Sequence, residues 1–441
     1  MLTERRQMRI AVVGLGKIGL PLAAQFAHKG HQVAGIDINT ETVATINAGQ
    51  APFPGEAHLA EYIARLVLTG NLRATTTYAS AVPDADVVVV VVPLFVDDQG
   101  QPDFIAMDSA TGDVAANLSP GTLVIYETTL PVGTTRDRWR PALESGSRLV
   151  EGIDFHLAFS PERVLTGRVF EDLRKYPKLV GALSDEGARA ATLFYESVLE
   201  FDDRPDLERG NGIWDLGSAE AAEMAKLAET TYRDVNIGLA NQLALFAEKA
   251  GIDVFEVIDA SNSQPYSHIH RPGIAVGGHC IPVYPRLYLT NDPAATVVRA
   301  AREANEAMPA HAVDLLEAEY GDLNGVRVVV LGAAYRGGVK ETAFSGVFSA
   351  VKELVTRGST PLVHDPLYSP EELSSLGLCA YGYGEQVDAA IVQTDHTEYR
   401  SLTPSDLPGV RVVIDGRRLI EKDAFPNALV VCIGQGTPAW A

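Results

Sequence analysis

The chain reads as an α/β protein built from two doubly wound, parallel-sheet domains joined by one long central helix. Three observations predict it. β-Branched runs alternate with helix-like stretches near the N-terminus. A proline-free segment of helical spacing fills residues 218–250. A second alternating pattern opens near residue 325.

"RIAVVG" (residues 9–14) is a strand that ends in a glycine turn and opens onto the helix-like "KIGLPLAAQFAHKG", and "HQVAGID" follows as a second strand. A strand, helix and strand within about 30 residues make one βαβ unit of a parallel sheet. "ADVVVVVVP" (85–93), "GTLVIYET" (121–128) and "HLAFSPE" (156–162) continue the series. Such continuous apolar strands are buried on both faces. From Ser218 to Ala250 apolar residues recur at helical spacing. One helix of about 30 residues would span about 45 Å. That length suits a connector that also supplies a dimer interface; two helices broken near Gly238 are the alternative. "GVRVVVLGAAYR" (325–336) starts the second pattern, followed by the helix-like "SGVFSAVKELVTRG" and the strands "TPLVHDP", "AAIVQTDH" and "RVVIDGR". The expected organisation is a Rossmann-like domain over 1–205, a helical connector with a cysteine loop over 206–318, and a second Rossmann-like domain over 319–441.

A chain of 441 residues exceeds one hydrophobic core. With 46% hydrophobic and 21% charged residues it has ordinary globular composition, and its formal net charge of −21 argues against nucleic acid or membrane surfaces as partners. Cys280, Cys379 and Cys432 show neither disulfide nor metal-ligand spacing, so no metal is expected and a reducing cytoplasm is. No apolar run reaches membrane-spanning length, and "MLTERRQMRIAVVG" lacks the apolar stretch of a signal peptide.

Gly14-Leu15-Gly16-Lys17-Ile18-Gly19 matches G-x-G-x-x-G between a strand and a helix, and Asp37 ends the next strand about 20 residues on. Glycines let backbone approach a pyrophosphate, the helix N-terminus offers N–H donors, and the carboxylate accepts from a ribose hydroxyl. Asp37 would repel a 2′-phosphate and no arginine follows in "DINTET", so NAD is preferred over NADP. "HRPGIAVGGHCIPVYPRLY" (270–288) places Cys280 on a glycine-rich loop. A cysteine beside a nicotinamide site suits aldehyde oxidation through a thioester, although an isolated free cysteine is more often core filler.

"VVGLGKIGLPLA", "TLPVGTT", "FSPERVLTG", "PKLVG", "AEMAKLAETTYRDVN", "VGGHCIPV", "VLGAAYR", "HDP", "TDHTEYR" and "VIDGR" occur in order along the chain. On these motifs it resembles the nucleotide-sugar 6-dehydrogenases (the UDP-glucose/GDP-mannose dehydrogenase family), and within them the branch acting on UDP-N-acetylhexosamines. The resemblance implies a homodimeric NAD enzyme of polysaccharide or secondary-metabolite biosynthesis that oxidises a sugar C6 alcohol to the acid. It implies Cys280 as nucleophile, Lys226 as oxyanion partner, Glu162 as acid/base and Thr129 as holder of a water. Pro93 and Thr129 join Gly14, Gly16, Lys17, Ile18, Gly19 and Asp37 around the cofactor. Arg163, Lys226, Thr230, Tyr266, Gly277, Tyr284, Tyr335, Arg336 and Arg417 are the expected substrate contacts. Each has a plainer reading, as surface lysine, helix-end carboxylate, strand cap or surface ion pair.

The chain also departs from the family pattern. Tyr284 stands where an aspartate is usual, Thr230 replaces an asparagine and Tyr266 an arginine. Ile274-Ala275 replaces Pro-Gly, Leu94 a threonine, Lys340-Glu341 two acids and Ala343 an arginine, while "DDRPDLERGNGIW" (202–214) reads as an inserted polar loop. A neutral phenol, with a reference pKa of about 10, cannot act as a carboxylate base. A specialised relative that acts on an unusual nucleotide or sugar, with one hydride transfer only, is therefore an alternative. A non-catalytic nucleotide-sugar-binding paralogue is the other.

Overall fold

A computed structural model describes residues 7–97 and 100–436. They divide into two compact units, one ending at Ala228 and one starting at Glu229.

The first unit carries strands β1 (Arg9–Val13), β2 (Gln32–Ile36), β3 (Leu72–Thr75), β4 (Val87–Val90), the short pair β5 (Phe95–Val96) and β6 (Pro102–Asp103), then β7 (Leu123–Tyr126), β8 (His156–Phe159), β9 (Lys178–Ala182) and β10 (Ile213–Asp215). Its main sheet has eight strands in the order β10-β9-β8-β7-β4-β1-β2-β3. From β3 to β8 every pairing is parallel, which gives the Rossmann order around the β1/β4 switch point. β4 reads Val-Val-Val-Val with all four residues buried, as a strand covered on both faces requires. β9 pairs antiparallel to β8 and parallel to β10, an extension that the strand series did not anticipate. The polar loop over 202–214 feeds β10. It is ordered by Arg174, which hydrogen-bonds Asp202 and Glu200, and by Asn211 Nδ2, which donates to the carbonyls of Arg174 and Asp202.

The second unit holds β11 (Arg327–Leu331), β12 (Thr360–His364), β13 (Ala389–Val392), β14 (Val412–Asp415) and β15 (Leu429–Cys432), all parallel in the order β12-β11-β13-β14-β15. Val328 and Val330 enter one core and Val329 and Leu331 the opposite one, the two-residue alternation of a doubly wound sheet.

The helix Ala219–Ala250 is continuous, roughly 48 Å long at 1.5 Å per residue. There is no break at Gly238: a Cβ there would come within 3.0 Å of Ala301 Cα, so the glycine permits close approach of the helix Thr296–Glu306. That contact carries a buried polar network. Arg302 Nε donates to Asp234 Oδ2 at 2.6 Å, Asn305 Nδ2 to the Asp234 carbonyl at 3.0 Å, and Asn241 Nδ2 to Asn305 Oδ1 at 2.8 Å.

Candidate active site

In the first unit, neighbouring strands deliver residues to the carboxyl edge of one sheet: Gly14–Gly19 after β1, Pro93 after β4, Thr129 after β7 and Glu162 after β8. Ligands of doubly wound sheets bind at that edge.

Gly14 has φ +92° and donates its N–H to the Ile36 carbonyl at 2.8 Å. A Cβ on Gly19 would sit 1.9 Å from the Gly14 carbonyl oxygen, so these two glycines close the turn. A Cβ on Gly16 would meet nothing within 4 Å, leaving an open cradle at its backbone. The helix Gly19–His28 begins behind Ile18, whose side chain supplies no cap, and Lys17 is exposed. Asp37 accepts from Leu15 N–H at 2.8 Å and Asn39 N–H at 2.9 Å. An open cradle at a helix N-terminus beside a fixed carboxylate fits a dinucleotide: the backbone at Gly16 would face the pyrophosphate and Asp37 the ribose, while Gly14 and Gly19 keep the turn tight. Pro93 is exposed and Thr129 is buried; Thr128 Oγ1 donates to the Val92 carbonyl at 2.6 Å, tying the loops after β7 and β4 together.

Lys226 is buried near the start of the long helix, one turn beyond Glu223. Glu223 accepts from Gly133 N–H at 2.6 Å, Thr135 N–H at 2.9 Å and Thr135 Oγ1 at 2.6 Å. Burial pushes this carboxyl up to about 7, against those three donors. The helix thereby grips the loop that follows Thr129. Its start also lies on β9, because a Cβ on Gly181 would fall 1.9 Å from the Ser218 carbonyl oxygen.

Glu162 belongs to a buried array. Lys178 Nζ donates to Glu162 Oε2 and to Glu127 Oε2, each at 2.8 Å. Tyr195 OH donates to Glu127 Oε1 at 2.7 Å, and Glu162 Oε1 accepts the N–H groups of Arg163 and Val164 at 2.6 and 3.1 Å. Burial pulls Glu162 upward, but Lys178 and the Arg163 N–H outweigh it and hold the carboxyl below its ordinary value. Glu127, wholly enclosed, is pushed up to about 7 by burial against the pull of Lys178. Arg163 is half-buried, with Nη1 3.3 Å from the Pro177 carbonyl.

In the second unit the long helix suspends the segment that leads to Cys280. His270 N–H donates to Asn236 Oδ1 at 2.9 Å and Gly273 N–H to Asn241 Oδ1 at 3.0 Å. The cysteine loop rests on the loop after β11. A Cβ on Gly277 would come 2.4 Å from Tyr335 Cβ, and Gly278, at φ +89°, donates to the Ala343 carbonyl at 2.8 Å. Cys280 is half-buried, and its carbonyl accepts Tyr284 N–H at 2.9 Å, which starts the helix Tyr284–Asn291. Tyr284 is half-buried, Thr230 is buried, and Tyr266 is 93% exposed. Leu94 is buried at the end of the β4 loop. Glu341 lies 3.7 Å from the His279 ring, and Lys340 pairs with Glu372.

At the second sheet's carboxyl edge, Arg336 is exposed, its guanidinium 5.8 Å from the Tyr335 ring centroid. Arg417 donates from Nε to the Gln393 carbonyl at 2.7 Å and from Nη2 to the Ala275 carbonyl at 3.3 Å. It lines a groove of about 410 Å³ with Phe255, Arg271, Asp395 and Arg418. In that groove Arg271 pairs with Asp259 and Arg418 with Asp253, so the cationic side chains are largely matched.

Sequence reasoning did not single out Glu127, Lys178, Tyr195 or Glu223. The available signal was an acid or a lysine within an otherwise apolar strand, as in "LVIYE" and "KLVGAL". Among the described residues no group of three or more His, Cys, Asp or Glu side chains is arranged to hold a metal, and no helix is long and apolar enough to cross a membrane.

Three family models of the UDP-glucose/GDP-mannose dehydrogenases match in order: the NAD binding domain over residues 8–199, the central domain over 220–307 and the UDP binding domain over 329–422. A UDP-N-acetyl-D-mannosamine dehydrogenase of Pyrococcus horikoshii is 36% identical over 424 residues, covering 94% of this chain and 96% of the relative. One from Escherichia coli K12 is 33% identical, covering 89% and 94%. The solved structure of a UDP-D-ManNAc dehydrogenase from Pyrococcus horikoshii superposes with a TM-score of 0.86 at 34% identity, covering 98% of this chain and all of that one. An NDP-N-acetyl-D-galactosaminuronic acid dehydrogenase from Methanosarcina mazei superposes at 0.83 with 27% identity, covering 98% and 96%. The open glycine cradle, the carboxylate at the end of β2 and these full-length matches have one explanation: the chain belongs to the UDP-glucose/GDP-mannose dehydrogenase family and is an NAD-dependent oxidoreductase.

Proposed function

We propose that this dehydrogenase oxidises the C6 primary alcohol of a nucleotide-linked sugar to the carboxylate, through a thiohemiacetal and a thioester on Cys280. Two NAD molecules, bound in turn, would each supply an acceptor for one of the hydrides that leave C6, the first before and the second after the sulfur adds. The Cys280 thiolate forms the C–S bond to the aldehyde carbon, and the Lys226 ammonium stabilises the resulting oxyanion. Water then attacks the thioester carbonyl. Its proton goes to Glu162, the C–S bond breaks, and sulfur departs as thiolate. Thr129 holds that water. Arg163, Thr230, Tyr266, Gly277, Tyr284, Tyr335, Arg336 and Arg417 form the nucleotide-sugar site. The UDP binding domain model and the relatives' names support a UDP-linked acetamido sugar as the substrate class.

The observation that carries this reading is the seat of Cys280. Gly277 and Gly278 let its loop lie against Tyr335 where no side chain would fit, leaving a half-buried thiol on a fixed turn. A screen of nucleotide sugars with NAD, read by NADH absorbance and product mass, tests it. Two NADH per product with a mass gain for the acid is expected; no NADH from any nucleotide sugar would overturn it.

A second reading, a specialised member that acts on an unusual nucleotide or sugar, is favoured by Tyr284, Thr230 and Tyr266 together. One NADH per product with an aldehyde adduct would select it. We further propose a cytoplasmic homodimer. Tyr232, Leu239 and Phe246 lie seven residues apart on the long helix and are 56%, 49% and 66% exposed, an apolar stripe suited to a second copy.

A further inference from the structure

Glu162 is not an isolated carboxylate. It shares one ammonium with a second, deeper carboxyl that the proposed mechanism does not use. Lys178 Nζ sits 2.8 Å from both, and Glu127 is closed off from solvent while Glu162 keeps 10% of its side chain exposed. The groups facing Glu127 come from each packed element: Lys178 from β9, Tyr195 from the helix Asp185–Val198 and Glu162 from the loop after β8. The adjacent strand β4 contributes only valines. One cation therefore serves two anions, and the claim of each depends on the charge of the other.

We propose that Glu127 is a positioning residue for thioester hydrolysis, whose ionisation sets the basicity of Glu162 through the shared Lys178. With Glu127 protonated, Lys178 is committed to Glu162, which is then held as a firm carboxylate and a weak base. With Glu127 ionised, the ammonium is divided between the two carboxylates, and Glu162 takes a proton from water more readily. In that step one proton passes from water to Glu162, and Glu127 changes only the field. Burial raises Glu127 most, Lys178 lowers it and Glu162 raises it again, so the enclosed carboxyl is pushed up to about 7. Hydrolysis should accordingly accelerate as pH rises through about 7.

This inference rests on Glu162 acting as the base, and the test separates the two. Turnover of the best nucleotide sugar from the NADH screen, together with decay of the Cys280 thioester, is followed against pH for the wild type, Glu127→Gln, Tyr195→Phe and Glu162→Gln. Glu127→Gln keeps hydrogen-bonding capacity but cannot ionise. It should lose the limb near pH 7, with hydrolysis above that pH reduced about tenfold and NAD binding unchanged. Tyr195→Phe removes a donor that favours the Glu127 carboxylate, so it should move the limb to higher pH. A merely structural defect would lower the rate at every pH without moving the midpoint. An unchanged limb in Glu127→Gln, or an unmoved midpoint in Tyr195→Phe should the glutamine variant not fold, overturns the proposal. Full hydrolysis by Glu162→Gln would instead overturn the base assignment itself.

Discussion

Both oxygens of Asp37 accept backbone N–H groups, from Leu15 in the glycine turn and from Asn39 beyond the strand. The carboxylate is thus fixed beside the cradle, with lone pairs left for a ribose hydroxyl and a charge that opposes a 2′-phosphate. NAD should be preferred to NADP, and Asp37→Ala should weaken NAD by about 1–3 kcal/mol while narrowing the gap; comparable wild-type rates with both cofactors would refute this. At Cys280, replacement by serine should permit at most the first hydride transfer, and Cys280→Ala should still bind NAD. Trapping by mass spectrometry should find a thioester on Cys280 in the wild type, suppressed in Lys226→Ala. Tyr284 N–H donates to the Cys280 carbonyl and Thr230 is buried, at positions where the family resemblance implies an aspartate and an asparagine. Acid–base assistance is worth about 10²–10⁴-fold in rate, so on the reading of a specialised member ordinary UDP-sugars should be poor substrates. Tyr284→Asp with Thr230→Asn should raise acid formation on them. Turnover of UDP-glucose by the unmodified enzyme at tens per second, the rate of a good dehydrogenase, would make the tyrosine a neutral substitution.

The long helix positions chemistry at its first turns by what it grips. Glu223 accepts three hydrogen bonds from Gly133 and Thr135 and so joins the turn that carries Lys226 to the loop that carries Thr129. Its carboxyl is pushed from 4.5 to about 7 by burial. The folded state therefore binds a proton that the unfolded chain releases between those values. Stability is then fully present at acid pH and falls as pH rises through about 7, by up to about 3 kcal/mol for a shift of this size. Thermal unfolding should show a lower midpoint at pH 8 than at pH 6, and Glu223→Gln should flatten that slope. A midpoint that rises over this interval, or an equal slope in the variant, would contradict the assignment. Gly181 meets the same helix at the Ser218 carbonyl, so Gly181→Ala should cost about 1–3 kcal/mol by overpacking.

For the whole molecule, net charge and exposed apolar surface bear on association. The formal charge of −21 gives long-range repulsion between copies, so a dimer needs a localised apolar contact to overcome it. In the proposed homodimer the exposed stripe Tyr232, Leu239 and Phe246 would supply one. Leu239→Glu with Phe246→Glu should halve the mass found by light scattering and leave the far-ultraviolet helix signal intact. An unaltered mass would place the interface elsewhere, and a monomeric wild type would remove the dimer altogether.

Local chemistry made part of this protein legible in advance. The glycine turn with Asp37 spans about 20 residues, so neighbouring residues alone specify a strand, a tight turn and a helix start. The valine run of β4 and the helical spacing of 219–250 likewise announce buried strand and long helix, and the glycines before Cys280 announce a turn that tolerates no side chain. Other features arose only when distant strands came into register. Glu127 and Lys178 are 51 residues apart, and Glu127 and Tyr195 68 apart, yet each pair is in hydrogen-bond contact. No period in the chain marks such a pairing, because burial raises the cost of an unpaired charge only after the strands have closed around it. The antiparallel course of β9, the hold of Glu223 on Gly133 and the hydrogen bonds of Arg417 to the Ala275 and Gln393 carbonyls are of the same kind. They depend on which backbone groups the closed sheets bring within 3 Å or so, and residue identity along the chain does not contain that distance.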